Sequence, residues 1–378
     1  MVRVVENRAF AYERTFSEVK RLSTAGLEGT ELLRRTAESL RRSVPFGSYC
    51  VATVDPASNL LTNVFNGGSA GEDCHGEAYH DVLASMFFDE DLKRLVSMLR
   101  GRRAVQPLSE AAGGVLERSL RYREYLGPVG FGHELACLFT DGGIWGAGYL
   151  TREAGEPDFG RAEVTFLARV APHVGAGLKA AALRARATDG KQGSDVPGVL
   201  TLDCKARVLT HTPAAEGLLS EMEELSQAWT GGGVPIPVSM VAGALRQVLD
   251  PASAGDLDVL PRIRVRGRSG RWLTLHASLT EPTPERPSET VIVIAPSEPE
   301  EVARLNLASY GLTPREEEIV MLVARGLSTR GISASLFISE HTVYNHLRSV
   351  FEKAGVHSRR EMVKRLFLEG LLPGVHGG

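Results

Sequence analysis

No stretch of this 378-residue chain approaches the roughly 20 consecutive apolar residues that a membrane-spanning helix needs. The first residues, MVRVVENRAFAYERTF, carry charges where a secretion signal would need an apolar core, so a cytoplasmic location is the expectation. Cysteine is sparse: Cys50, Cys74, Cys137 and Cys204 are far apart and form no C-x-x-C pair. That fits reduced thiols better than a disulfide framework. Charge of either sign is not in large excess, with a net of -3 and 24% charged residues. Such a balance neither requires nor excludes nucleic acid, since binding depends on where basic residues cluster. Lysine is scarce beside arginine, which says little about function. No G-x-x-x-x-G-K-[ST] occurs, which excludes a P-loop nucleotide site. No acidic cluster of the kind a phosphoacceptor pocket uses at strand ends is present either.

What is present divides into three blocks, as the length predicts. Residues 1–186 open with the helical patterns FSEVKRLSTAGL and GTELLRRTAESLRRSV. The strand candidates SYCVATVD and LLTNVF follow, and ELACLFTD and IWGAGYLTR read as a hairpin across Gly142-Gly143. A long amphipathic helix pattern, FGRAEVTFLARVAPHVGAGLKAAALRARAT, closes the block. Residues 187–197 are polar and aperiodic, as expected of a linker. Residues 198–296 begin with two short strands around a turn and a helix, in VLTLDCKARVLTHTPAAEGLLSEM. They end in the strand patterns RIRVRGRSGRWLTLHASL and ETVIVIAP. Residues 297–310 read as a linker helix, and 311–378 as an all-α module. The fold class expected is therefore multidomain α+β with a C-terminal four-helix unit.

Helix punctuation is clearest in the last block. Thr313, Pro314 and Glu316 supply cap, first-turn proline and the glutamate of a capping box. Gly326 stops that helix, Ser328 caps a second, and Ser339 caps a third that ends at Gly355. Ser358 with Glu361 forms another box. Short helices with a tight turn at Phe337-Ile338 match helix-turn-helix geometry. Between residues 325 and 365, eight basic residues face three acidic ones, a local excess of +5 suited to phosphate.

The run LTPREEEIVMLVARGLSTRGISASLFISEHTVYNHLRSVFEKAGVHSRREMV resembles the LuxR-type helix-turn-helix module of bacterial transcription regulators, over residues 312–368. It departs from the family pattern at Gly331, where an acidic residue or Asn is usual, and at Ser333, where Ala is usual. The resemblance implies that Tyr344, Asn345 and Arg348 enter the major groove and read bases. Asn pairs with adenine and Arg with guanine through two hydrogen bonds. It implies phosphate-backbone contacts from Thr329, Arg330, Thr342, His346 and Lys353. Double-stranded DNA, a second copy of the chain and RNA polymerase are the implied partners. The apolar residues Met362, Val363, Leu366, Phe367 and Leu368 serve either the core or a dimer contact. A metal shared by His341 and His346 is disfavoured, because five residues place them about 140° apart on a helix.

The first block is similar to a GAF domain and the second to the opening of a PAS-like domain, which implies a small-molecule effector or a dimerisation role. Tyr49, Trp145 and Tyr149 are the candidate pocket residues of the first block, with core packing as the competing role. Gly175-Ala-Gly177 follows a helical pattern rather than a strand, so close packing explains it better than dinucleotide binding. Asp73-Cys74-His75 with His80 reads as a helix entry rather than a metal or redox cluster. Glu72 and Asp73 would raise the Cys74 thiol pKa, against redox use. A redox-active or ligand-modifying GAF enzyme, and a purely scaffolding regulator, are the alternatives to a sensor. No catalytic residue, cofactor or metal is expected.

Overall fold

The computed structural model describes residues 2–68, 90, 92–184, 196–204, 206–222, 234–249, 261–283, 287–297, 310, 312–324 and 326–363. The linker readings fall almost entirely outside these residues, as do Cys74, His75 and His80.

The N-terminal unit contains helices α1 (Val2–Thr24) and α2 (Gly29–Leu40), then strands β1 (Ser48–Asp55) and β2 (Leu60–Gly68). Helix α3 (Leu92–Arg100), strand β3 (Val105–Pro107) and the single turn α4 (Leu108–Ala111) lead to the hairpin β4 (Phe131–Thr140) and β5 (Ile144–Glu153). Helix α5 (Arg161–Arg184) closes the unit. The strands form an antiparallel sheet in the order β2-β1-β5-β4-β3. Gly142 takes a φ of +73° in the β4–β5 turn, a conformation open to glycine at little cost. Helices α1, α2 and α5 cover one sheet face, burying Leu22, Leu32, Leu33, Val51, Leu135 and Val170. Gly175 and Gly177 are packing residues. A Cβ on Gly175 would lie 2.5 Å from the Thr140 carbonyl oxygen, and one on Gly177 2.7 Å from Leu32.

The second unit runs through β6 (Gly198–Leu202), β7 (Val208–His211), α6 (Pro213–Ser220), α7 (Ile236–Leu249), β8 (Arg262–Arg266), β9 (Trp272–Leu279) and β10 (Thr290–Pro296). Thr212 caps α6 by accepting the Ala215 amide at 3.3 Å, with Pro213 at the first helical position. Its antiparallel sheet has the order β7-β6-β10-β9-β8. Counted within each unit, both sheets therefore follow the order 2-1-5-4-3, a shared topology with no matching repeat in the sequence.

Helix α7 is buried on every side from Ile236 through Leu245. It packs on β2 of the first unit and on β8, β9 and β10 of its own. A helix apolar all round belongs between two surfaces rather than on one. One apolar cluster consequently runs from Ala52, Val54 and Leu138 through Val241 to Leu275 and Ile294. Its rim carries a buried ion pair between the units. Arg264 Nη2 lies 3.1 Å from Asp55 Oδ1, and the Arg264 amide donates to Asp55 Oδ2 at 3.2 Å.

The C-terminal module contains α8 (Pro314–Ala324), α9 (Thr329–Leu336), α10 (Glu340–Ala354) and α11 (Arg359–Val363) around their own core of Ile319, Val320, Ile332, Val343, Val350 and Met362. Among the described residues, no helix is long and apolar enough to cross a membrane.

Candidate nucleic-acid interface

Helix α10 is built to present one face. Val343, Leu347, Val350 and Ala354 are buried on one side. Tyr344, at 65% exposure, and the exposed Asn345 and Arg348 lie within an arc of about 100° on the other. Ser339 fixes where the helix begins, its Oγ accepting the Thr342 amide at 3.0 Å. Gly355 at φ +62° ends it in a left-handed cap.

The turn before it is equally determined. Phe337 adopts φ +54°, ψ +42° at the end of α9 and is 95% exposed. A bulky residue seldom takes this conformation. Ser333 braces the turn, its hydroxyl donating to the Ile338 carbonyl at 2.6 Å while the Ile338 amide donates to the Ser333 carbonyl at 3.2 Å. The departure from the family pattern at Ser333 thus holds the turn. Arg315 on α8 donates to the Leu336 carbonyl at 2.9 Å, closing the end of α9. Gly331 is in the first turn of α9 rather than deep in it, its amide donating to the Ser328 cap at 3.1 Å.

Glu316 is the polar anchor of the module. It is 4% exposed and accepts the Thr313 amide at 2.7 Å, the Ser349 hydroxyl at 2.7 Å and the Lys353 ammonium at 2.6 Å. Burial pushes its carboxyl pKa up, but the hydrogen bonds from Lys353, Ser349 and Thr313 outweigh it and hold the pKa at about 2. The capping box was legible in the sequence; the reach of its glutamate across to α10 was not.

The remaining predicted contacts flank the exposed arc. Thr342 and His346 are half-buried along the same edge of α10 as Lys353, whose side chain is one-third exposed. Thr329 and Arg330 begin α9, half-buried and exposed respectively. Met362 is fully buried in the module's own core and Val363 partly so, while Leu366, Phe367 and Leu368 lie outside the described residues.

Residues 310–366 match the model of the luxR family of bacterial regulatory proteins. The chain is 41% identical over 61 residues to the spore germination protein GerE of Bacillus subtilis, covering 16% of this chain and 82% of that relative. It is 30% identical over 186 residues to the transcriptional activator protein ExaE of Pseudomonas putida, covering 47% of this chain and 73% of ExaE. The chain belongs to the LuxR family. Mycobacterial relatives are 46% identical over 52 residues, and there the chain spans only 6% of their length. GerE is matched over most of its length by the C-terminal segment of this LuxR-family chain, so the module is what the two share.

The three aromatic residues expected to line a pocket do not come together. Tyr49 and Trp145 belong to the helix-covered face of the first sheet, and Tyr149 to the opposite face. All three are at least 92% buried. Trp145 does reach a cavity edge, and its Nε1 donates to the Asp141 carbonyl at 3.0 Å. Cys137 is buried, which pushes its thiol up to about 12; Cys50 is partly buried and Cys204 exposed.

Proposed function

We propose that this chain is a sequence-specific, double-stranded-DNA-binding transcription regulator that acts as a homodimer. Helix α10 enters the major groove. Arg348 pairs with guanine, Asn345 with adenine, and Tyr344 packs against an adjacent base edge or sugar. Thr329 and Arg330 at the start of α9, with Thr342 and His346, hold phosphates and set the register. Lys353 uses one of its three N–H donors on Glu316 and keeps the others for a phosphate. The observation that carries this reading is the exposed polar arc of α10, opposite a fully apolar one, in a chain of the LuxR family.

The two N-terminal units act as GAF-like and PAS-like domains that take an effector or bring two chains together. Their common strand order and helix-covered sheets support that reading. Two chains place two reading helices on successive half-sites, about 10–10.5 base pairs apart. RNA polymerase is the downstream partner. Fluorescence anisotropy of the full chain on duplex DNA across a salt series tests the proposal. The affinity should fall with a log–log slope of about -0.9 for each phosphate neutralised. Absence of duplex binding at low salt would overturn it.

A further inference from the structure

The fold gains nothing from the ring of Phe337. At 95% it is the most exposed of the large hydrophobic residues described, while the next residue, Ile338, packs on the module's core. Its backbone, at φ +54° and ψ +42°, takes the left-handed conformation that glycine or asparagine fills at lower cost after a helix. A bulky residue kept in a strained conformation, in a turn braced by Ser333 and Arg315, points to a use outside the fold.

Phe337 also stands beside the face expected to meet DNA. It is two residues ahead of Ser339, the cap of α10, and two residues of chain span at most about 7 Å. The Ser339 hydroxyl lies 2.8 Å from that of Thr342, one of the phosphate contacts of the DNA reading above. A helix about 10–12 Å across fills a major groove about 12 Å wide, so the sugar–phosphate walls press on the edges and mouth of α10. A phenyl ring suits the C–H face of a deoxyribose, whereas a phosphate takes charged or hydrogen-bonding donors.

We infer that Phe337 packs its ring on the deoxyribose beside the phosphate held by Thr342, and so seats the mouth of α10 in the groove. It is a positioning residue, since sugar contacts fix register and orientation and carry no base information. The left-handed backbone turns the ring out to solvent just ahead of the cap. This inference rests on the DNA-binding reading and adds to it an apolar contact that salt does not weaken.

The test compares the full chain with Phe337→Gly, Phe337→Asn and Phe337→Tyr. The probes are the duplex that the parent protein enriches from a random library and single-base variants of that duplex. Anisotropy across a salt series and thermal melting are the readouts. Glycine and asparagine both accept the left-handed conformation, so neither variant should lower Tm. Asparagine also guards against the extra chain freedom that glycine brings to the turn. Both should weaken binding about fivefold to tenfold, the effect of uncovering about half a phenyl ring. The loss should be the same on every duplex and at every salt concentration, because no charge and no base contact is removed. Phe337→Tyr should bind as the parent does. Equal affinity of the parent and both ringless variants would overturn the inference, leave the DNA reading standing and free the ring for a protein partner. A loss accompanied by a lowered Tm in both, or one confined to particular bases, would overturn it as well. Absence of any duplex binding by the parent chain would instead bring down the DNA reading, and the Phe337 contact with it.

Discussion

Replacing Glu316 with glutamine should loosen the whole C-terminal module, although the residue sits far from the exposed arc in sequence. Its carboxylate joins the start of α8 to Ser349 and Lys353 on α10. The hydrogen bonds depress its pKa from 4.5 to about 2 against the opposing effect of burial, which corresponds to roughly 3 kcal/mol favouring the folded, charged state. Because the folded pKa lies below the unfolded one, this stability is complete above about pH 4.5. It drains away as pH falls toward about 2. Amide hydrogen exchange on the full chain reads the module directly, since local opening is resolved residue by residue. At neutral pH, Glu316→Gln should reduce protection across α8 and α10 on the order of 100-fold. The gap to the parent protein should narrow as pH drops below about 4.5. A loss smaller than about threefold, or a gap that stays constant with pH, would refute the anchoring role.

Other perturbations test other parts of the architecture. Gly331→Ala should stabilise α9 by about 0.4–1 kcal/mol, because the added methyl would meet neighbours no closer than 3.5 Å and the unfolded chain loses freedom; slower exchange in α9 is the readout. Arg264→Met should cost about 3–5 kcal/mol by stranding Asp55, whose side chain is 2% exposed, and adding Asp55→Asn should recover part of the loss in chemical denaturation.

Much of the fold follows from local pattern. The strand pattern SYCVATVD coincides with β1, and the Gly142-Gly143 hairpin joins β4 to β5 where alternating residues and turn glycines put it. Capping residues Thr313, Ser328, Ser339 and Ser358 mark the four helix starts of the module, because a cap is a local device whose chemistry is written in adjacent residues. Helix α7 escapes such reading: Ile236 through Leu245 is apolar without a 3.6-residue stripe, since both of its sides face protein. Tyr49 and Tyr149 look alike in the sequence, yet the strand pleat sends them to opposite sheet faces. The Glu316 network and the Asp55–Arg264 pair between the units are both contacts between distant residues. Nothing in adjacent residues announces either.

The central claim is that α10 reads DNA through Tyr344, Asn345 and Arg348. In vitro selection from a randomised duplex library, run in parallel with the full chain and its Arg348→Ala variant, tests it most directly. The parent protein should enrich a two-half-site motif. The variant should bind more weakly and lose its base preference at one position in each half-site, where about 1–3 kcal/mol of discrimination is at stake. Enrichment of no motif by the parent protein, or of the same motif with the same preference by both, would contradict the account.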